Sequence, residues 1–158
     1  MWSFHDILFL LCEETMTTNP WREIEAIWQG DTLFSGKNTE GAQIQVGKAN
    51  GKGFSPMEAV LVALAACTGD DVVSIMNKKH QPLTGLKINA RGLRADTTPS
   101  TFVEIQLEFI CSGDHLVEKD LAQAIQLSEE KYCSVGAMLS KTAKIRTSFK
   151  ILPNGSEV

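Results

Sequence analysis

The chain has no cysteine pair at metal-binding or redox spacing. Its four cysteines, Cys12, Cys67, Cys111 and Cys133, form neither a CxxC nor a CxxxH pattern, so a zinc site built from local ligands is not expected. They are also neither dense nor regularly spaced, which excludes a small secreted disulfide scaffold. With no export signal, the expected compartment is a reducing cytoplasm, where a cysteine is either a small core hydrophobe or a reactive thiol. The three histidines, His5, His80 and His115, stand alone in sequence, with no second ligand at helical spacing, so no metal and no metal-based cofactor is expected. Positive charge is not in surplus: 15 Lys and Arg face 19 Asp and Glu, a formal charge of -4. Nucleic-acid binders carry the opposite balance, so no nucleic-acid partner is expected. The longest wholly apolar stretch, "AVLVALAAC" at 59–67, falls far short of the roughly 20 residues that span a bilayer. A soluble chain without a membrane partner is expected. Phosphate loops, triad signatures, paired acids, internal repeats and low-complexity tracts are likewise missing.

The N-terminal run from Ile7 to Cys12 lacks the basic flank and small-residue cleavage site of a signal peptide. Residues 1–20 read as an extension holding a short helix or a loosely docked tail, with Met16 a candidate start of translation. What remains is enough for one domain. The chain has 158 residues, 43% of them hydrophobic, which suits a single core over residues 21–152, followed by a polar tail at 153–158.

Periodicity and punctuation give an α+β pattern. "REIEAIW" (22–28), "TLFSG" (32–36) and "AQIQVG" (42–47) read as a three-stranded antiparallel meander. A glycine-rich loop leads to Ser55-Pro56, a cap and first-turn pair that opens a long helix to about Lys79. Segments 86–96 and 101–113 form a hairpin. An amphipathic helix over 118–132 places Leu121, Ala124, Ile125 and Ser128 on one face. A short helix from Ser134 to about Lys141 and a closing strand at 144–152 complete the order.

Positions 59 to 67 are apolar all round, so this part of the long helix must be covered on every side. Ala59, Ala63, Ala65 and Ala66 allow a second backbone to approach closely. A two-fold dimer with this helix at its centre meets that need most simply; the alternative is a monomer that encloses the helix between its own sheet and the 118–132 helix.

Cys67 lies in this helix, followed by "TGDD". Cys133 falls between two helices, where the first-turn N–H groups and dipole of a helix beginning at Ser134 favour a thiolate and a lowered pKa. The folded chain is expected to bring the two within disulfide reach.

The segments "SPMEAVLVALAACTGDDVVSIM" (55–76) and "EKYCSVGAML" (129–138), with their order and separation, resemble the OsmC/Ohr-like family of osmotically induced and organic hydroperoxide resistance proteins. The resemblance spans about residues 21–152. It implies an OsmC-like fold and an intertwined homodimer, with two long central helices between antiparallel sheets. It implies thiol-dependent reduction of organic hydroperoxides without a cofactor. Cys67 would be oxidised to a sulfenic acid, Cys133 would resolve it as a disulfide, and a dithiol, lipoyl-type in some relatives, would restore both. The peroxidases of this family place a glutamate directly after the proline that opens the helix and pair it with an N-terminal arginine. Here that position is Met57 and Glu58 follows, about 100° further round the helix; no arginine stands in "GDTLFSGKNTEG", with Arg22 and Lys37 as substitutes. Glu58 is the third candidate site residue, its other reading being a first-turn acid favoured by the helix dipole. The alternative function is a non-catalytic dimeric module that binds a small apolar or thiol-containing ligand. Asp70 and Asp71 could tune Cys67 or meet a partner's lysine, but carboxylates beside a thiol raise its pKa, which favours a solvated or hydrogen-bonded structural role. Cys111 and Cys12 read as spectators, and Trp21 and Trp28 as strand aromatics.

Overall fold

Alternation in the first strands decides how they pack. The computed structural model describes residues 21–48, 51 and 53–153; the extension at 1–20, including Cys12 and His5, and the tail beyond Pro153 lie outside the described residues. Strands β1 (Ile24–Trp28), β2 (Phe34–Asn38) and β3 (Gln43–Val46) pair antiparallel in that order. Their register aligns Trp28 with Phe34 and Val46, and Ala26 with Gly36 and Ile44. Directly paired residues share a face, so one side of this sheet is apolar and the other carries Glu25, Lys37 and Gln43. The apolar side is open: Ile24 is 71% exposed, Trp28 63%, Ile44 57% and Phe34 45%. After β3 the chain folds tightly on itself at Gly47, where φ is +116° and a Cβ would lie 1.9 Å from the Thr32 carbonyl oxygen. Only glycine fits such an approach.

Helix α1 (Pro56–Lys78) begins at a capping box. The Ser55 hydroxyl accepts from the Glu58 N–H at 3.3 Å, and the Glu58 carboxylate accepts from the Ser55 N–H at 2.7 Å, which satisfies two donors that the helix start leaves unpaired. At the other end the Lys79 ammonium reaches Asp120 at 2.7 Å and Gln123 at 2.8 Å. Lys79 thus clasps the end of α1 onto the next helix.

The second sheet comprises β4 (Gly85–Arg94), β5 (Phe102–Ser112) and β6 (Lys144–Ile151), with β5 in the middle. Sequence reading places antiparallel sheets around the helix. Here β4 and β5 are antiparallel, but β6 runs parallel to β5, with Ile105 beside Ile145 and Phe109 beside Phe149. The reason is the connection: helix α2 (Glu118–Leu127), a π-helical turn (Ser128–Tyr132) and helix α3 (Ser134–Leu139) form a crossover long enough to return the chain to the same end of the sheet. Strand β5 buries Ile105, Leu107, Phe109 and Cys111 against Leu64, Val72 and Met76 of α1 and Leu121, Ala124 and Ile125 of α2. Each large side chain buried this way contributes about 1.5–3 kcal/mol of hydrophobic stabilisation. The expected inner face of α2, Leu121, Ala124, Ile125 and Ser128, is buried throughout.

Helix α1 meets β4 closely at Gly69, where a Cβ would stand 3.0 Å from Ile88 Cδ1. The flank of the helix next to this contact is uncovered. Val62, Ala63 and Ala66 are exposed, and a groove of about 550 Å³ lined by Phe54, Glu58, Leu61, Val62 and Ala66 runs beside Ile88 of β4. By length and composition alone, with a mean hydropathy of 1.8, α1 would pass for a membrane span, yet only 28% of that apolar window is buried within one chain. The chain's own sheets and α2 do not enclose α1, and the apolar face of the first sheet stands open instead of closing over the helix.

Candidate thiol site

Residues one turn apart on a helix share a face. Cys67 and Asp71 of α1 stand in that relation, both half-buried, while Asp70 between them points to solvent. Thr68, which is buried, donates its hydroxyl to the Leu64 carbonyl at 2.5 Å.

The opposing wall is built by the π-helical turn. At its end the Cys133 N–H donates to the Ser128 carbonyl at 2.9 Å, a bond one residue longer than in an α-helix. Such an insertion swings the following residues out of α-helical register and is frequent at functional sites. Ser128, fully buried, donates its hydroxyl to Asp71 Oδ2 at 2.8 Å. Cys133, 3% exposed, then caps α3: its Sγ accepts from the Gly136 N–H at 3.2 Å.

These connections gather the Sγ atoms of Cys67 and Cys133 and a carboxylate oxygen of Asp71 within 4.8 Å of one another. Both cysteines are free thiols. The arrangement corrects one expectation. The first-turn N–H does reach Cys133, but burial pushes its thiol pKa up, with hydrogen bonding and charge from Cys67 acting in the same direction; Gly136 N–H and the Thr68 hydroxyl oppose them without prevailing. Removal from water outweighs the end of a six-residue helix.

Glu58 lies elsewhere in the chain's fold. It precedes Cys67 by nine residues, roughly 13 Å along the helix axis, and its carboxylate is held by Ser55. That hydrogen bonding keeps the carboxyl below its usual pKa of 4.5. Cys111 faces the core from β5, its thiol pushed up to about 11 by burial. Tyr132, beside Cys133, is half exposed. A cavity of about 210 Å³ reaches Cys133 and is walled by Leu64, Leu107 and Ile145, with Thr68 and Glu129 as polar members. Burial raises the Glu129 carboxyl pKa, opposed by a hydrogen bond from Thr147 and assisted by Glu130.

Sequence reading identifies both thiols but gives Asp71 a structural role and Ser128 only a packing one. The spacing of Asp71, four residues after Cys67 on a helix, was the signal that set it apart from Asp70. Nothing in the sequence announces the π-helical turn that brings Ser128 to it.

The profile of a family described as OsmC-like protein matches residues 49–148. Protein YhfA of Escherichia coli is 37% identical over 126 residues, covering 79% of this chain and 94% of that protein. A crystal structure of a hypothetical protein from Aquifex aeolicus superposes with a TM-score of 0.76 at 35% identity, covering 84% of this chain and 96% of that one. The organic hydroperoxide resistance protein OhrB of Bacillus subtilis shares the fold with a TM-score of 0.57 at 12% identity, covering 82% and 98%.

Proposed function

Since the chain belongs to the OsmC-like family, we propose that it reduces organic hydroperoxides with Cys67 and Cys133. The single observation that carries this reading is the placement of the two free sulfurs within 4.8 Å of each other, the half-buried one on α1 and the buried one behind it. The more accessible thiol meets the substrate first.

The Cys67 thiolate attacks the distal peroxide oxygen, the O–O bond breaks, and the departing alkoxide takes a proton to leave as an alcohol. Cys67 becomes a sulfenic acid. The Cys133 thiol then attacks that sulfur, forms the disulfide and releases water, which protects Cys67 from overoxidation. A dithiol reductant reverses the bridge by two exchanges and is itself oxidised to a cyclic disulfide. The cavity that reaches Cys133 has walls of Leu64, Leu107 and Ile145, apolar surroundings that suit an alkyl chain held beside the sulfur pair. Glu58 supports the reaction by fixing the start of the helix that carries Cys67.

The working species in this reading is a homodimer in a reducing cytoplasm. The exposed apolar face of the first sheet and the uncovered side of α1 are the surfaces a second copy would bury.

The test is titration of the reduced protein with cumene hydroperoxide, followed by mass spectrometry and by turnover with a dithiol. A Cys67–Cys133 bridge after one equivalent, and turnover abolished by Cys67→Ser, support the proposal. Thiols that stay unreacted under excess peroxide would sink it and leave the binding-module reading.

A further inference from the structure

Cys67, Cys133 and Asp71 offer two sulfurs and one carboxylate oxygen converging from two walls. We propose that these three residues form a binding site for a thiophilic divalent cation, Zn2+, in the reduced protein.

The donor set selects the metal. Thiolates are soft ligands that favour zinc-like ions over calcium or magnesium, and a single carboxylate completes a mixed set of the kind zinc accepts. Zinc bonds of about 2.3 Å to sulfur and about 2.0–2.2 Å to a carboxylate oxygen place tetrahedral ligands roughly 3.3–3.8 Å apart. The observed separations of up to 4.8 Å are wider than that range, and the proposal requires rotation of the three side chains to close them. Sequence spacing hides the set, because Cys133 lies 62 positions after Asp71 and only the crossover brings it back.

The surroundings resemble a prepared metal shell. Ser128 is fully buried and its hydroxyl holds one oxygen of Asp71 at 2.8 Å, the orienting contact that metal-bound carboxylates commonly receive. The Gly136 N–H reaches the Cys133 sulfur at 3.2 Å, and such a donor balances the charge of a metal-bound thiolate. Three protein ligands leave a fourth position for water or a small ligand, the coordination of open rather than closed zinc sites.

Binding has a simple proton balance. Zn2+ takes the place of one proton on each thiol and joins Asp71 as the carboxylate, so two protons leave when both cysteines start as thiols. The metal and the disulfide use the same two sulfurs and exclude each other. The cation therefore holds the pair reduced, and an oxidised chain releases it. This inference does not require peroxide turnover: a chain that binds zinc without reducing peroxides would keep it, and a chain that turns over peroxides without binding zinc would lose only it.

The test is anaerobic titration of the reduced full-length protein with Zn2+ against a chromophoric chelator. A parallel titration with Co2+ reads the thiolate-to-cobalt charge-transfer band. One ion per chain and an intense charge-transfer band are expected. Cys67→Ser or Cys133→Ser should weaken binding at least a hundredfold, Asp71→Asn about tenfold or more, and Ser128→Ala about tenfold, the usual size of a lost supporting contact. Wild-type protein first oxidised to the disulfide should bind none, a comparison that requires no substitution. Absence of stoichiometric binding to the reduced protein would overturn the proposal. So would affinity unchanged by Asp71→Asn, or binding that persists in the oxidised chain.

Discussion

The Ser128 hydroxyl donates to Asp71 Oδ2 at 2.8 Å, tying the first residue of the π-helical turn to the helix that carries Cys67. This bond joins the two walls of the thiol site. Replacing Ser128 with alanine leaves a half-buried carboxylate without its donor, which costs about 1–3 kcal/mol for such a group. Ser128→Ala should lower the urea midpoint accordingly and slow closure of the Cys67–Cys133 disulfide, both read on one preparation.

Cys133 should be the slower thiol. Burial, then the influence of Cys67, raises its pKa above the ordinary 9.0, so the native state holds that proton more firmly than the unfolded chain does. The stability this contributes is fully present below pH 9 and is lost as pH rises through the raised value. In chelator-treated protein, iodoacetamide mapping at neutral pH should label Cys67 well before Cys133. Replacing Cys67 with serine removes one of the raising causes, and Cys133 alkylation at a given pH should speed up. Equal labelling of both thiols at pH 7 in folded wild type would contradict the assigned order.

A Cβ at position 136 would meet Cys133 Sγ at 3.3 Å and Leu64 Cδ1 at 3.7 Å. Gly136→Ala gains roughly 1 kcal/mol of helix propensity but must push the sulfur away by a few tenths of an ångström. Stability should change little. Small displacements of reacting atoms are costly to rate, so disulfide closure should slow about tenfold relative to sulfenic acid formation, measured by stopped-flow after a peroxide pulse.

The first sheet supplies a surface test. Trp28 and Ile44 lie on its open apolar face. Sedimentation of the wild type at micromolar concentration should show a dimer, and a Trp28→Glu, Ile44→Lys pair should shift it toward monomer. The variant loses little from its own chain's core, since both side chains are more than half exposed. A wild-type monomer would remove the homodimer from the proposed function.

Much of the local structure was legible in the chain. Ser55, Pro56 and Glu58 mark the start of α1 because capping is a contact among neighbours in sequence, and the alternation in β1 to β3 gives the sheet its apolar face. The direction of β6 was not legible: a strand reads the same whether its neighbour runs parallel or antiparallel, and only the crossover through α2 and α3 decides it. The π-helical turn was hidden for a related reason. One inserted residue changes which side chains face α1 without changing the amphipathic pattern that precedes it.

By itself the sequence determined which two thiols could react and on which local elements they stand, and left Asp71 a structural role. Tertiary structure alone decided that Cys67, Asp71 and Cys133 share one small space, and that Cys133 is governed by burial more than by the helix it caps. The physical reason is range. Capping, turns and periodicity act over a few residues, whereas convergence across 66 positions and the loss of water around a sulfur arise only when separate elements pack.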